Sequence, residues 1–316
     1  MTEPGREPLV SAVILSWNRC AELRTSLLEL RRSTYANREI IVVDNGSIDD
    51  SVAMVRTEFP EARLILLPFN LGIEGFNVGI LNAAGEYVVV LDDDSYPAPG
   101  AIARLVSQIE RDPTIAAIGA RILHPRTGKV CTKGPASVDE PYTSFWGGGA
   151  ILRRSAVVAC GMYDRRLFIY TNEYDLAVRL MRAGHGVRYD PEVVVYHSFA
   201  ETSRPKKGVW YWARNEMWFN LRYVPLRFLP LTIPRSAAWM LMSSRHSLIE
   251  MLYRLAGLVA GIATFRLSER DPVSAALARM LLRHHWTFVP PVGFIVRYLW
   301  RRRRERAQAR KAGRAA

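Results

Sequence analysis

Short apolar runs alternate with amphipathic segments over the first part of the chain. Leu9–Ser16, Glu39–Val43, Leu64–Leu67 and Tyr87–Leu91 are brief and rich in Val, Ile and Leu, as strands buried on both faces are. The segment Cys20–Arg32, between the first two runs, carries its leucines at helical spacing. Strands that alternate with helices in this way predict an α/β fold with a doubly wound, mostly parallel sheet.

Three more strands and another helix are predicted further along. Ile115–Ala120 has the composition of a fifth strand, and Val187–Asp190 and Val193–Tyr196 follow as two separate strands. Tyr170–Arg182 has helical spacing and ends shortly before a glycine. Phe145–Leu152 brings three glycines together, which either let a ligand approach the backbone closely or form a bulged strand.

The fourth strand ends abruptly in acidic residues. Asp92–Asp94 follow Tyr87–Leu91 directly, and Pro97 and Pro99 should then stop any continuation of the strand. Neighbouring carboxylates repel one another unless they share a cation, and hard divalent ions favour oxygen ligands. A solvated acidic turn is the alternative. Because open α/β sheets bind ligands at the carboxyl ends of their strands, metal-assisted chemistry on a phosphate is favoured.

Other polar residues follow strands at the same edge of the predicted sheet. Asn18 comes after the first strand and Asp44 after the second. An ionised Asp44 could accept the N3–H of a pyrimidine base, although it is also a common turn residue. No GxGxxG follows the first strand and no GxxxxGK[ST] occurs in the chain. The sequence therefore excludes an ordinary dinucleotide-binding fold and a P-loop protein.

Two further groups of candidate residues lie beyond position 170. Asn172, Glu173 and Asp175 stand at the head of a predicted helix. Carboxylates there are often only partners of the helix dipole, but a position opposite the three aspartates would suit a general base. His197 follows VVVY at the end of a strand, where it is either structural or a ligand of a metal or phosphate.

Seven motifs in order give the chain a resemblance to the family 2 glycosyltransferases, which are inverting enzymes of the GT-A fold. The resemblance is strongest to the bacterial rhamnosyltransferase-like branch and covers roughly residues 9–220. The motifs are VILSWNR (13–19), VVDNGSIDDS (42–51), NLGIEGFNVGI (70–80), LDDDSYP (91–97), GGGAILRRS (147–155), FIYTNEYDLAVRLMRAGHGVRYDPEVVVYH (168–197) and YWARNEMW (211–218). LDDD alone is weak evidence, whereas seven motifs in sequence are specific.

The resemblance implies roles for residues of the donor site. Asp44 would hold the nucleotide base and Asp92 the ribose or a metal ion. Asp94 would be the principal ligand of Mg²⁺ or Mn²⁺, which bridges the donor diphosphate. His197 would lie near that diphosphate and the metal. Asn77 would lie in the glycine-rich donor loop, and the strand-end residue Asn18 is a further candidate for donor binding.

The resemblance also implies an acceptor side, where the chain departs from the family pattern. Trp146 and Gly147–Gly149, with Gly148 at their centre, would lie near the acceptor. The family usually shows Glu-Asp where this chain has Asn172-Glu173. Glu173 then takes the place of the catalytic Asp and is one methylene longer. Asp175 is the alternative base.

The function implied is metal-dependent, inverting transfer of a sugar from a UDP-, dTDP- or GDP-linked donor to an acceptor hydroxyl. The acceptor would be a glycan or a lipid-linked sugar in bacterial cell-surface polysaccharide or glycolipid synthesis. A nucleotidyltransferase is the runner-up enzyme, but the chain lacks a glycine-rich triphosphate loop after its first strand. The other alternative is a basic membrane- or RNA-binding protein with a degenerate site, although nucleic acid is not the expected partner.

The charge of the chain is uneven and concerns its last third. Residues 1–200 carry 21 Lys and Arg against 24 Asp and Glu, whereas residues 201–316 carry 22 against 6. Such asymmetry indicates an anionic surface as partner. The predicted division is a glycosyltransferase domain over 1–222, a helical membrane-associated region over 223–300 and a basic, disordered tail over 301–316.

The apolar stretch Leu248–Phe265 approaches the ~20 residues that span a bilayer. Glu250 and Arg254 lie within it, and each would cost roughly 2.5–3.5 kcal/mol near the membrane centre. Helices that lie in the interface are therefore favoured over a spanning helix, with Trp286–Trp300 at headgroup level and the basic tail on anionic lipid.

The cysteines and the N-terminus bear on the compartment. Cys20, Cys131 and Cys160 are scattered without a CxxC pair, which favours a reducing compartment and argues against disulfides or structural zinc. The first ten residues show no apolar core of a signal peptide. The sequence therefore predicts a cytoplasmic protein attached peripherally to the inner face of the cell membrane.

Overall fold

The chain folds around an eight-stranded sheet with helices on both faces. The computed structural model describes residues 7–132, 134–198, 206–243 and 247–284. The strands are β1 (Val10–Ser16), β2 (Arg38–Asp44), β3 (Arg63–Leu66), β4 (Tyr87–Asp92), β5 (Ser95–Pro97), β6 (Ile115–Leu123), β7 (Ala150–Arg153) and β8 (Gly186–His197). The helices are α1 (Cys20–Arg31), α2 (Ser51–Glu58), α3 (Glu74–Asn82), α4 (Ala101–Glu110), α5 (Arg154–Ala159), α6 (Asn172–Arg182), α7 (Lys206–Tyr223), α8 (Leu229–Met242), α9 (Leu248–Thr264) and α10 (Ala275–His284).

The sheet is mostly parallel, as predicted. Its strand order is β3-β2-β1-β4-β7-β6-β8-β5. The pairs β1–β2, β1–β4, β2–β3 and β6–β8 are parallel, and β4–β7, β6–β7 and β5–β8 are antiparallel. The predicted α/β class is confirmed.

Two hydrophobic layers cover the two faces of the sheet, which explains the continuous apolar runs. Alternate residues of a strand point to opposite faces. In β1, Val10, Ala12 and Ile14 pack in the layer that contains α1, α2 and α4, whereas Val13 packs in the layer that contains α3, α5 and α6. Strands buried on both faces have no solvent-facing positions for polar residues.

One prediction about strands is confirmed and another is wrong. β4 ends at Asp92, as predicted, and the separate short strand β5 then pairs with the end of β8. Proline is tolerated there since β5 lies at the edge of the sheet. Val187–Asp190 and Val193–Tyr196 belong to one strand, β8. Its register with β6 slips after Asp190, so Pro191 lies in an irregularity of the ladder rather than ending the strand.

The C-terminal helices pack through α7. A Cβ on Gly257 or Gly261 of α9 would clash with the backbone or side chains of α7, so small residues allow the close approach. Buried Arg254 of α9 pairs with Glu250 and donates to Ser243 Oγ at 2.6 Å, beyond the end of α8. No helix within the described ranges is long and apolar enough to cross a bilayer. The predictions for Trp286–Trp300 and for the tail 301–316 lie outside the described residues.

Candidate active site

The carboxyl ends of three neighbouring parallel strands form one edge of the site. In the register of the sheet, Ser16 at the end of β1 lies beside Asp44 at the end of β2. On the other side of β1, Leu15 lies beside Asp92 at the end of β4. Strands in a sheet are ~4.8 Å apart, so the two aspartates are separated by about two strand widths. The predicted gathering of polar strand ends is confirmed.

Asp44 offers a buried acceptor. It is 3% exposed, and its Oδ2 accepts the N–H of Ser47 at 2.9 Å. Its Oδ1 has no hydrogen-bond donor among the described residues. A buried carboxylate oxygen without a donor is costly, and a ligand N–H would remove that cost. Asn18 completes this corner, because its backbone N–H donates to Ser47 Oγ and its side chain accepts from Ile48.

Asp92, Asp94 and His197 form a cluster with the geometry of a metal site. One ligand atom from each residue lies within 4.8 Å of the other two. His197 Nε2 lies 3.1 Å from Asp92 Oδ2 and 3.4 Å from Asp94 Oδ1. Burial alone would lower the pKa of His197, but the hydrogen bond to Asp92 and the charges of both aspartates raise it. Two carboxylates and an imidazole fit Mg²⁺ or Mn²⁺, the latter being the more tolerant of nitrogen.

The short strand β5 brings the histidine to the aspartates. Ser95 pairs with His197 in the antiparallel ladder of β5 and β8. Asp94 O accepts the N–H of Ser198 at 2.8 Å, and Ser95 Oγ accepts the N–H of Asp92 at 2.9 Å. The turn after β4 is therefore fixed from both sides, which places residues that are 105 apart in sequence in contact.

Arg19 also belongs to the site, although the sequence did not single it out. Its guanidinium lies 2.7 Å from Asp94 Oδ2 and 3.3 Å from Asp93 Oδ1. Burial raises the pKa of Asp93 to about 7, with the Arg19 charge opposing and the Asp94 charge adding to the rise. Asp93 also accepts the N–H of Trp17. It therefore ties β1 to β4 rather than joining the cluster of Asp92, Asp94 and His197.

Two consecutive glycines separate the metal-type cluster from Glu173. A Cβ on Gly148 would lie 2.6 Å from Asp92 Oδ2, and one on Gly147 would lie 2.5 Å from Glu173 Oε1. Only glycine lets the backbone pass this closely. Burial raises the pKa of Glu173 to about 7; the charge of Asp92 adds to the rise, and a backbone hydrogen bond from Gly147 opposes it. A carboxyl group with a pKa near neutrality suits a general base.

The other predicted base lies elsewhere. Asp175 is buried, and its carboxylate accepts from Arg179 at 2.6 Å and from the hydroxyl of Tyr223 at 2.6 Å. Arg222 adds a third contact at 3.4 Å. These partners bind Asp175 into the interface of α6 with α7. The structure therefore brings Glu173, and not Asp175, to the glycine loop.

Asn77 and Trp146 occupy supporting positions. The Asn77 amide donates to Tyr163 O at 2.8 Å and accepts the N–H of Tyr163 at 2.9 Å, which ties α3 to the segment before α6. Trp146 is partly buried against the hydrophobic layer of α1 and α4 and leads directly into the glycine loop. Both residues lie next to elements of the site, and their part in ligand binding stays a prediction.

Comparisons with known proteins agree on one family. A family model for glycosyl transferase family 2 matches residues 11–168. The chain is 26% identical over 239 residues to N-acetylglucosaminyl-diphospho-decaprenol L-rhamnosyltransferase of Mycobacterium tuberculosis, covering 62% of this chain and 78% of that protein. It is 25% identical over 210 residues to the amylovoran biosynthesis glycosyltransferase AmsE of Erwinia amylovora, with 62% and 77% covered.

Solved structures show the same fold. The mannosyltransferase PcManGT from Pyrobaculum calidifontis, in complex with GDP-Man and Mn²⁺, matches with a TM-score of 0.59 at 20% identity, covering 90% of this chain and 83% of that one. GalNAc-T7 with UDP, GalNAc and Mn²⁺ also gives 0.59, at 16% identity and coverages of 82% and 56%. The predicted GT-A fold is confirmed.

Proposed function

This chain belongs to glycosyl transferase family 2, and we propose that this glycosyltransferase is inverting and metal-dependent and uses a nucleoside diphosphate sugar. One observation carries the proposal. Glu173 and the cluster of Asp92, Asp94 and His197 lie on either side of the two glycines Gly147 and Gly148. Direct displacement requires such a pair of functions, a base for the attacking hydroxyl and a charge-neutralising group for the leaving diphosphate.

Each residue then has a defined task. Asp92, Asp94 and His197 would hold Mg²⁺ or Mn²⁺, which supplies charge neutralisation at the leaving diphosphate. Glu173 takes the proton of the acceptor hydroxyl, which attacks the anomeric carbon from the face opposite the leaving group. Arg19, 42% exposed along its side chain, offers a second positive charge beside Asp94. No glycosyl-enzyme intermediate is needed, so the configuration inverts.

The Asp44 corner supports a restricted choice of donor base. Its unpaired Oδ1 requires a donor, and Ser47 already occupies Oδ2. Uracil and thymine present N3–H and guanine N1–H, whereas the matching ring nitrogens of cytosine and adenine carry no hydrogen. We therefore propose a UDP-, dTDP- or GDP-linked donor. The names of two matched structures include UDP and GDP-Man, which agrees with this class.

A panel of nucleoside diphosphates tests the donor proposal. With Mn²⁺ present, UDP, dTDP or GDP at about 100 Kd is expected to stabilise the protein by ~2.7 kcal/mol, or roughly 5 °C in melting temperature. ADP and CDP should give a much smaller shift. In Asp44→Asn, which presents an amide where the wild type presents a carboxylate, the preferred base should lose its advantage. Equal stabilisation by all five nucleotides in the wild type would contradict base reading by Asp44.

The acceptor is proposed from the relatives. The name of the Mycobacterium tuberculosis protein specifies a sugar linked through diphosphate to decaprenol, and that of the Erwinia amylovora protein specifies amylovoran biosynthesis. We propose a glycan or lipid-linked acceptor hydroxyl in cell-surface polysaccharide or glycolipid synthesis. A lipid-linked acceptor requires the enzyme to reach a membrane surface.

Helix α9 presents a face suited to that surface. Its exposed side is apolar except for Thr264 at its last position, and its two charged residues, Glu250 and Arg254, pair with each other at 2.6 Å. The large apolar side chains exposed on α9 are Leu248, Ile249, Met251, Leu252, Tyr253, Leu255, Val259 and Ile262. A stripe of this kind on a helix too short to span a bilayer is typical of interfacial helices. We therefore propose peripheral attachment through α9, aided by the basic residues of 301–316.

Vesicle sedimentation of the full-length protein tests the attachment. The double variant Leu252→Glu, Val259→Glu is expected to bind anionic vesicles at least ~10-fold more weakly, because a buried aliphatic side chain contributes ~1.5–3 kcal/mol. Leu81→Glu in α3 is the matched control, since Leu81 is 53% exposed and Leu252 is 52% exposed. Deletion of 301–316 should weaken binding in a way that high salt mimics. Unchanged sedimentation of the double variant would refute the role of α9.

A further inference from the structure

The segment that carries Glu173 into the site has an unusual backbone. Phe168, Tyr170 and Thr171 have φ values of +61°, +65° and +65°. Positive φ is uncommon outside glycine, and three such residues occur here within four positions. The N–H of Ile169 donates to Leu167 O at 2.7 Å across Phe168, which gives a γ-turn of the rare, strained kind. Thr171 is the N-cap residue of α6, and Glu173 follows two positions later.

Two neighbouring side chains from α7 contact this segment. Arg214 donates through Nη2 to Arg166 O at 2.6 Å and to Leu167 O at 3.3 Å, and Asn215 makes the larger set of contacts. Asn215 is fully buried, and its Nδ2 lies 2.8, 2.8 and 2.9 Å from the carbonyl oxygens of Leu167, Ile169 and Tyr170. Arg214 donates to Asn215 Oδ1 through Nε at 2.9 Å and Nη2 at 2.7 Å. Because Arg214 fixes the oxygen on its own side, the amide nitrogen must face the three carbonyls.

The opposite side of the segment contacts the loop that contains Gly72 and Ile73. Phe168 O accepts the N–H of Ile73 at 2.7 Å, and a Cβ on Gly72 would clash with that oxygen. Gly72 O in turn accepts from the amide of Asn45, the residue after Asp44. The strained segment therefore lies between the loop that contains Gly72, which is next to Asp44, and the buried amide of Asn215.

We propose that Asn215 is a positioning residue for the transfer reaction. It holds the strained segment 167–171 so that Glu173 reaches its place beside Gly147. It acts through the backbone, because its side chain is buried against three carbonyls rather than directed at reacting atoms. This inference rests on the proposed function, in which Glu173 is the base.

Another asparagine on the same helix provides a matched control. Asn220 is also fully buried in α7, but its amide donates to Glu216 and Ser236 instead of to the segment before α6. Asn215→Ala and Asn220→Ala each remove a buried amide from one helix. A loss that comes only from weaker packing should therefore be shared by both variants.

Steady-state kinetics and Mn²⁺-dependent donor titration on the full chain give the main test. Asn215→Ala is expected to lower kcat ~10–100-fold while donor Kd stays within about twofold, since a misplacement of about 1 Å costs on the order of 10²-fold. Asn220→Ala should keep kcat near the wild-type value on the folded protein. Equal loss of kcat in both variants would overturn the proposal.

A double-mutant cycle separates this inference from the function on which it rests. In a Glu173→Gln background, Asn215→Ala should cause no further loss of kcat, because the group that it positions is already inactive. Additive losses would overturn the positioning role while leaving Glu173 as the base. A normal kcat in Glu173→Gln alone would instead overturn the base assignment.

Asn215→Ser serves if the alanine variant does not fold. Its hydroxyl keeps one donor toward the carbonyls, so the variant is expected to fold. Its kcat should be lower than that of the wild type, but by less than the ~10–100-fold expected when all three hydrogen bonds of Asn215 are lost. A wild-type kcat in a folded Asn215→Ser, with no loss at any substrate concentration, would count against the proposal.

Discussion

Replacement of Asp94 with alanine is expected to abolish sugar transfer and the metal dependence of donor binding. Asp94 is 4% exposed and lies within 3.4 Å of His197 and 2.7 Å of Arg19. Its loss leaves one carboxylate and one imidazole for the ion. Stabilisation of the leaving group is worth several kcal/mol, so kcat/KM should fall by at least ~10³-fold. Transfer assays and donor titrations with and without Mn²⁺ measure the two effects.

Glu86→Ala is the matched control for this variant. Glu86 is an exposed acidic residue just before β4, at the end opposite Asp94, and its side chain lies 4.0 Å from Arg153. Its removal changes the net charge equally and should leave transfer unchanged. If Asp94→Ala kept full Mn²⁺-dependent donor affinity, the metal site would lie away from the cluster of Asp92, Asp94 and His197.

The site residues that follow parallel strands could be predicted, because the topology of the sheet determines where those strands end. Once the apolar runs are strands that alternate with helices, their carboxyl ends must meet at one edge. Asn18, Asp44 and Asp92 follow three such strands, and the structure places them there. Only the local pattern of the chain is needed for that inference, so it does not depend on contacts between distant segments.

The antiparallel part could not be predicted from local pattern. His197 reaches the aspartates through β5. The local pattern did not predict this strand, because it contains Pro97 and proline disfavours strands. Pro97 is tolerated in β5 because β5 lies at the edge of the sheet, and that edge position depends on the order of all eight strands. The position of His197 after VVVY made it a candidate ligand, and the resemblance placed it near the diphosphate. The strand pairing that brings it to the aspartates is a tertiary feature.

Arg19 and Asn215 show the same limit at the level of single residues. Arg19 contacts carboxylates 74 and 75 positions away, and Asn215 contacts carbonyls 45 to 48 positions away. Arg19 lies in the motif VILSWNR (13–19) and Asn215 in YWARNEMW (211–218), but neither motif indicates which distant groups these side chains contact. The role of Arg19 follows only from its contact with the acidic turn after β4, and that of Asn215 only from its contact with the strained segment 167–171.

Helix geometry bears on which of Glu173 and Asp175 can face the aspartates as a base. Residues two apart on a helix point about 200° from each other, so only one could face the aspartates. Asp175 pairs with Arg179, Arg222 and Tyr223 on the side toward α7. Asp175→Asn is therefore expected to act mainly on stability, since breaking a buried ion pair costs about 3–5 kcal/mol.

Glu173→Gln is expected to lower kcat by ~10²–10⁴-fold while donor and metal binding remain. The amide fills the same space but cannot take the proton of the acceptor hydroxyl. The wild-type rate should also depend on pH, because burial raises the pKa of Glu173 to about 7 and only the ionised form is a base. The rate should therefore fall as the pH drops below about 7 and level off above it. A cation held by Asp92 would screen that charge and move the midpoint downward.

Transfer measured between pH 5.5 and 9 on three variants decides the assignment. In Glu173→Gln the rise through neutral pH should disappear together with the rate. Glu173→Asp keeps a carboxylate that is one methylene shorter, and it should retain more activity than the glutamine variant. Asp175→Asn, assayed well below its melting temperature, should keep both the rate and the pH profile of the wild type, because Asp175 faces α7 and not the glycine loop. If Asp175→Asn were inactive while folded, and Glu173→Gln turned over normally with an unchanged profile, the base would be Asp175 and the carboxylate beside Gly147 would serve only to shape the loop.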